Sequence, residues 1–113
     1  MNSVPPSKTQ RIRQLNDTLR TTFAGGKVML TAGVNALPDE EKATVLSKVR
    51  TFDDFNRDND PHGEHDFVTF LHDGTTYFAK IDYYSPDMQG GSEDPTDPEK
   101  TTRVLTIMRA DEY

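Results

Sequence analysis

The stretch Asp66-Phe67-Val68-Thr69-Phe70-Leu71-His72-Asp73-Gly74-Thr75-Thr76-Tyr77-Phe78-Ala79-Lys80-Ile81-Asp82-Tyr83-Tyr84 decides the fold of this 113-residue chain. Two runs rich in aromatic and β-branched residues, Asp66 to His72 and Thr75 to Tyr84, flank Asp73-Gly74. An Asp-Gly pair between such runs is a hairpin signal, because a two-residue turn needs positive φ at its centre. Downstream, Thr101 to Arg109 carries Val104, Leu105, Ile107 and Met108 and predicts a final strand able to bury both faces. Between them, residues 85–100 combine three prolines, two glycines and five carboxylates, which predicts an exposed, mobile acidic loop.

Upstream of the hairpin the periodicity changes to that of helices. Residues 1–6, with Val4-Pro5-Pro6, predict a disordered lead, and Ser7 offers a helix N-cap. Ile12, Leu15, Leu19 and Phe23 recur at helical spacing as one apolar stripe, with Arg11, Arg13 and Arg20 mostly off it. Gly25-Gly26 ends that helix, and Lys27 to Ala32, closed by Gly33, reads as a short buried strand. Pro38-Asp39-Glu40-Glu41 starts a second helix, since proline suits the first turn and acids complement the positive end of the macrodipole. Its core stripe is Val45, Leu46, Val49 and Phe52, and Asn59, Pro61 and Gly63 prevent it from running far past Phe55. The order α-β-α-β-β-β predicts one α+β domain over residues 7–113, with two helices on one face of an antiparallel sheet of about four strands. Tyr77, Tyr83 and Tyr84 would cluster on the other face as an aromatic contact surface.

Composition limits the function classes. Hydrophobic residues make up 33% of the chain and the mean hydropathy is −0.77, which leaves one modest core. The absence of cysteine excludes disulfides, thiolate metal sites and a cysteine nucleophile. No apolar run approaches the roughly 20 residues of a membrane span, and the N-terminus lacks a signal-peptide pattern, so the expected setting is the cytoplasm, away from membranes. Residues 1–50 carry eight Lys/Arg and four Asp/Glu, while residues 51–113 carry five and fifteen, so the halves are +4 and −10. The acidic half suits a basic partner, and the whole-chain charge of −6 argues against direct nucleic-acid binding.

Candidate chemistry concentrates in residues 52–67, where six carboxylates and two imidazoles lie between aromatic anchors Phe52 and Phe67. His62 and His65, with Glu64 and Asp66, are the donor types that zinc or manganese accepts without cysteine. Histidines three apart share a face only on a helix, and Pro61 and Gly63 oppose one here. A calcium loop fails at its twelfth position, where Thr69 stands in place of a bidentate Glu. A hydrolytic reading would make a histidine the general base or acid, with Lys80 or Arg57 stabilising an oxyanion, but no spacing characteristic of a hydrolase or a phosphate-binding loop is present.

Several segments together, Arg11 to Asp17, Leu30 to Val34, Asn59 to Phe67, Lys80 to Tyr84 and Thr102 to Met108, resemble a bacterial family catalogued as domain of unknown function 3768. The resemblance covers nearly the whole chain after the proline lead. It implies a small cytosolic bacterial protein of a kind met on mobile or plasmid-borne DNA, and it supplies no catalytic residues.

The resulting expectation is a non-enzymatic binding protein, without a cofactor, that engages or inhibits a basic protein partner, nucleic-acid-binding proteins being among the candidates, in a mobile-element or defence/counter-defence setting. Its expected contact residues are Asp53, Asp54, Asp58, Asp60, Glu64, Asp66, Tyr83 and Tyr84. The alternative is a metal-dependent hydrolase or nuclease centred on His62, Glu64, His65 and Asp66, with a divalent metal on His62 and His65. A homodimer through the final strand or the tyrosine face is a further expectation.

Overall fold

The computed structural model describes residues 4–113. Of the lead over residues 1–6, the first three residues lie outside the described residues, and Val4 to Pro6 are exposed without regular structure. Helix α1 spans Lys8–Thr22 and starts on a reciprocal cap. The Ser7 hydroxyl accepts the Gln10 amide at 3.1 Å, and Gln10 Oε1 accepts the Ser7 amide at 2.8 Å. The helix stops where Phe23 turns left-handed at φ 59°, two residues before the glycine pair.

Strand β1 spans Lys27–Leu30, shorter than the expected run to Ala32. Thr31 instead enters a one-turn helix α2, Ala32–Asn35, because the Glu112 carboxylate accepts both the Thr31 hydroxyl and the Gly33 amide. Helix α3 covers Asp39–Thr51, with Asp39, Glu40 and Glu41 in its first turn. Strands β2, Phe67–His72, and β3, Thr75–Tyr84, form the hairpin, and Asp73 and Gly74 hold φ of 51° and 75° at its turn. Strand β4, Thr102–Arg109, completes the sheet in the order β1-β4-β3-β2.

The α+β architecture matches the sequence pattern, with two changes: the one-turn α2 adds a third helix, and the sheet is not wholly antiparallel. β2–β3 and β3–β4 are antiparallel, but β1 lies parallel to β4, so the sheet is mixed. The chain leaves β1, crosses one face through α2 and α3, and returns through the hairpin, which brings β4 in from the same end as β1. The segment 85–100 carries its own hydrogen-bond scaffold, including a 3-10 turn over Pro98–Lys100 that the expected structureless loop did not contain.

Leu19, Val34, Val45 and Val49 from the helices pack on Tyr77, Ala79, Ile81, Leu105 and Ile107 of the sheet. Period-two alternation sends Phe78, Lys80, Asp82 and Tyr84 to the opposite, open face. β4 is central and buried on both faces, with Met108 and Val104 outward and Ile107 and Leu105 inward. The tyrosines therefore do not cluster. Tyr77 and Tyr83 share the core side, and of these three Tyr84 alone stands on the open face. Phe67 also faces outward, against Phe78 at 5.0 Å, so the far anchor of the acidic stretch lies on the open sheet face and not in the core.

Burial of Leu19 is complete, so Leu19→Ala should cost about 2–5 kcal/mol by urea unfolding. Leu71→Ala, at an exposed edge position, should stay within about 0.5 kcal/mol.

Candidate functional site

Four polar residues of α1, Arg13, Asn16, Asp17 and Arg20, recur at the spacing of the apolar stripe beside them and so share one helix face. That face meets residues 52–66. The Arg20 guanidinium, 4% exposed, donates from Nη1 to the carbonyls of Val49 at 3.0 Å and Phe52 at 2.8 Å, with Arg50 at 3.4 Å. It thereby caps the C-terminal end of α3 with a positive charge, where the unpaired carbonyls and the macrodipole both favour a cation. Arg20 was expected mostly off the packed stripe. It is buried because its planar fork matches several carbonyls at once.

Asp17 Oδ1 bridges two partners, accepting Arg20 Nη2 at 3.1 Å and facing His65 Nδ1 at 2.9 Å. The second His65 nitrogen faces Asp60 Oδ2 at 3.5 Å, and Asp60 Oδ1 accepts the His65 backbone amide at 3.1 Å. Phe55 completes the cluster. Its ring stacks on His65 at 3.7 Å, and the Arg20 guanidinium lies 5.2 Å from its centroid. His65 takes φ 55°, an uncommon conformation for a residue with a Cβ, and it is held there by contacts on both ring nitrogens, the ring face and the amide.

Beside this cluster lies a second, deeper network. Asn16 is fully buried and donates from Nδ2 to the Glu64 carbonyl at 3.0 Å and the Tyr83 hydroxyl at 2.7 Å. Its Oδ1 accepts Arg103 Nε at 2.9 Å, while the Tyr83 hydroxyl donates to Glu64 Oε1 at 2.7 Å. Arg103 also donates to the Pro95 carbonyl and lies over the Tyr83 ring, tying the 85–100 segment to the same hub. Arg13 Nε donates to the Gly63 carbonyl at 2.6 Å. Burial pushes the Tyr83 hydroxyl well above the ordinary tyrosine range, and its bond to Glu64 pushes the same way. Burial likewise lowers Arg103 and raises Asp66, the latter with help from Glu64 and Asp60.

The expected contact residues thus divide. Asp53, Asp54 and Asp58 are exposed. Asp60 and Glu64 bond inward, Asp66 is half-buried, Tyr83 belongs to the hub, and Tyr84 lies on the far side of the sheet. His62 is exposed, whereas His65 points into α1. The two carboxylates at His65 sit at opposite ring nitrogens and do not converge on one point. Among the described residues no group of three His, Cys, Asp or Glu side chains is gathered to hold a metal ion. Lys80, the expected electrophilic helper, stands on the open face paired with Asp82 at 2.9 Å, across the sheet from His65. The arrangement positions a loop.

Sequence reasoning missed Arg13, Asn16, Asp17, Arg20, Phe55 and Arg103. The available signal was the polar spacing 13, 16, 17, 20 running beside the apolar spacing 12, 15, 19, 23. Arg103, in a strand of apolar neighbours, carries no such signal.

A family model described as protein of unknown function, DUF3768, matches residues 30–112, and the chain belongs to that family. No curated protein and no solved structure matches it. The matched segment contains Phe55, Glu64, His65, Tyr83 and Arg103, while the α1 residues that clamp them precede it. No helix among the described residues is long and apolar enough to cross a membrane.

Loss of the Arg20 fork should be costly: Arg20→Ala lowers unfolding free energy by about 2–4 kcal/mol, and Arg20→Lys by at least about 1.5 kcal/mol, measured by urea titration. Tyr83 should stay protonated in the folded chain beyond the ordinary tyrosine pKa of about 10. Because the folded-state pKa is raised, the stability it confers is complete below about pH 10 and is lost as pH climbs above that value. Tyrosinate absorbance should show one late-ionising group that Tyr83→Phe removes.

Proposed function

We propose that this chain is a small, acidic, non-enzymatic binding protein that engages and inhibits a basic protein partner through Asp53, Asp54 and Asp58. The observation that supports this reading is the contrast within the loop: exposed carboxylates on a backbone fixed from beneath. Asn56 Oδ1 accepts the amides of Asp58 at 2.8 Å and Asn59 at 3.1 Å. Asn59 returns the contact, accepting the Asn56 amide at 2.8 Å and donating to the Asp54 carbonyl at 2.7 Å. These bonds, with the Arg20, Phe55 and His65 cluster, remove the ordering cost that a flexible acidic loop would meet on binding.

Carboxylates held in this way suit arginine guanidinium groups, which take them as paired, charge-assisted hydrogen bonds. Arginines of that kind commonly hold phosphates, so the acidic loop competes with nucleic acid for its partner and repels nucleic acid itself. The setting we propose is the bacterial cytoplasm. Electrostatic recognition of this type acts chiefly on encounter rate and selectivity, and it falls with ionic strength.

The test is capture of partners from a bacterial lysate by the native chain and by an Asp53→Lys, Asp54→Lys, Asp58→Lys variant, with mass-spectrometric identification. Native capture should yield proteins with arginine-rich surfaces, weakened roughly tenfold or more in about 0.5 M salt, and the variant should lose them while folding normally. Retention of every specific partner by the variant overturns the reading.

A further inference from the structure

The free edge of β1 has a feature that the acidic loop does not explain. The Thr31 amide donates to the Ile107 carbonyl at 3.1 Å, and the parallel register pairs Leu30 with Ile107 and Met29 with Thr106. In such a ladder alternate residues bond the neighbour, so Lys27, Met29 and Thr31 turn their backbone groups to β4. Val28 and Leu30 turn theirs outward. Among the described residues no other segment hydrogen-bonds to those groups. The opposite edge is partly closed, since Lys48 Nζ donates to the Leu71 carbonyl at 3.0 Å.

We propose that the edge of β1 pairs antiparallel with β1 of a second copy, about a two-fold axis at Met29. This pairing goes beyond the acidic-loop reading and does not depend on it. The pattern is self-complementary: Val28 of one protomer meets Leu30 of its partner, and each pair exchanges both of its outward amide–carbonyl bonds. Met29, 53% exposed, then meets its own copy on the open face. It borders a cleft of about 480 Å³ lined largely by Leu30, Tyr84, Met88 and Val104, which becomes continuous across the axis.

Charge selects a second copy over a foreign strand. The same register sets Lys27 opposite the partner's Thr31, on the same face. The Thr31 hydroxyl donates to Glu112 Oε1 at 2.7 Å, so a carboxylate waits beside each Thr31. Lys27 is exposed and has no ion pair among the described residues. Two symmetric Lys27–Glu112 contacts therefore close the interface with groups the chain already carries.

Sedimentation equilibrium on the full chain decides the matter. The native protein should approach twice the 12.8 kDa chain mass as concentration rises, and amide exchange at Val28 and Leu30 should slow with it. Met29→Lys places two ammonium groups across the axis and Lys27→Glu places carboxylates against Glu112. Both change exposed side chains, so the circular dichroism spectrum should be unchanged while association weakens at least about tenfold. A native chain that stays at its monomer mass throughout, or native-strength association in either variant, overturns the proposal.

Discussion

The structure depends on one constraint: the loop between α3 and β2 lies against α1, and the carbonyls it turns toward that helix need partners. Helix α1 supplies them. Arg20 takes the carbonyls that end α3, Asn16 takes the Glu64 carbonyl, and Arg13 takes that of Gly63. Each of these groups would be expensive to bury alone, which is why so much of the polar content of α1 faces inward. The apolar stripe of α1 holds the helix on the sheet, and the polar stripe beside it decides how the acidic loop lies.

This division also accounts for the uneven use of the carboxylates. Asp17, Asp60 and Glu64 are structural, each matched to an amide, hydroxyl, imidazole or guanidinium group. Asp53, Asp54 and Asp58 project from the same chain segment without such partners among the described residues, on a turn braced by Asn56 and Asn59. Composition counts all six loop acids alike. Their roles separate only when the helix beneath them is in place.

The elements of the fold were legible because their signals are local. Ser7 forms the expected start of α1, Asp73-Gly74 the expected turn, and Val45 and Val49 lie in the expected stripe of α3. What was not legible is non-local. The parallel placement of β1 depends on where β4 re-enters, and no periodicity within Lys27–Leu30 records that. The inward turn of Tyr83 and the outward turn of Tyr84 follow from the register with Arg103 and Thr102, since a shift of one residue exchanges the faces. The tie between Asn16 and Arg103 joins residues 87 positions apart, and neither has a neighbour that announces the other.

The pairing of β1 with β4 has a consequence for the order in which the molecule forms. Lys27 is matched to Val104, so this edge of the sheet cannot be laid down until a strand 77 residues further along the chain is in place. The β2–β3 hairpin closes across a two-residue turn and is available long before. Strand β1 therefore has no neighbour in the sheet until β4 docks, and the slow, long-range step of folding falls on that parallel pair and not on the hairpin.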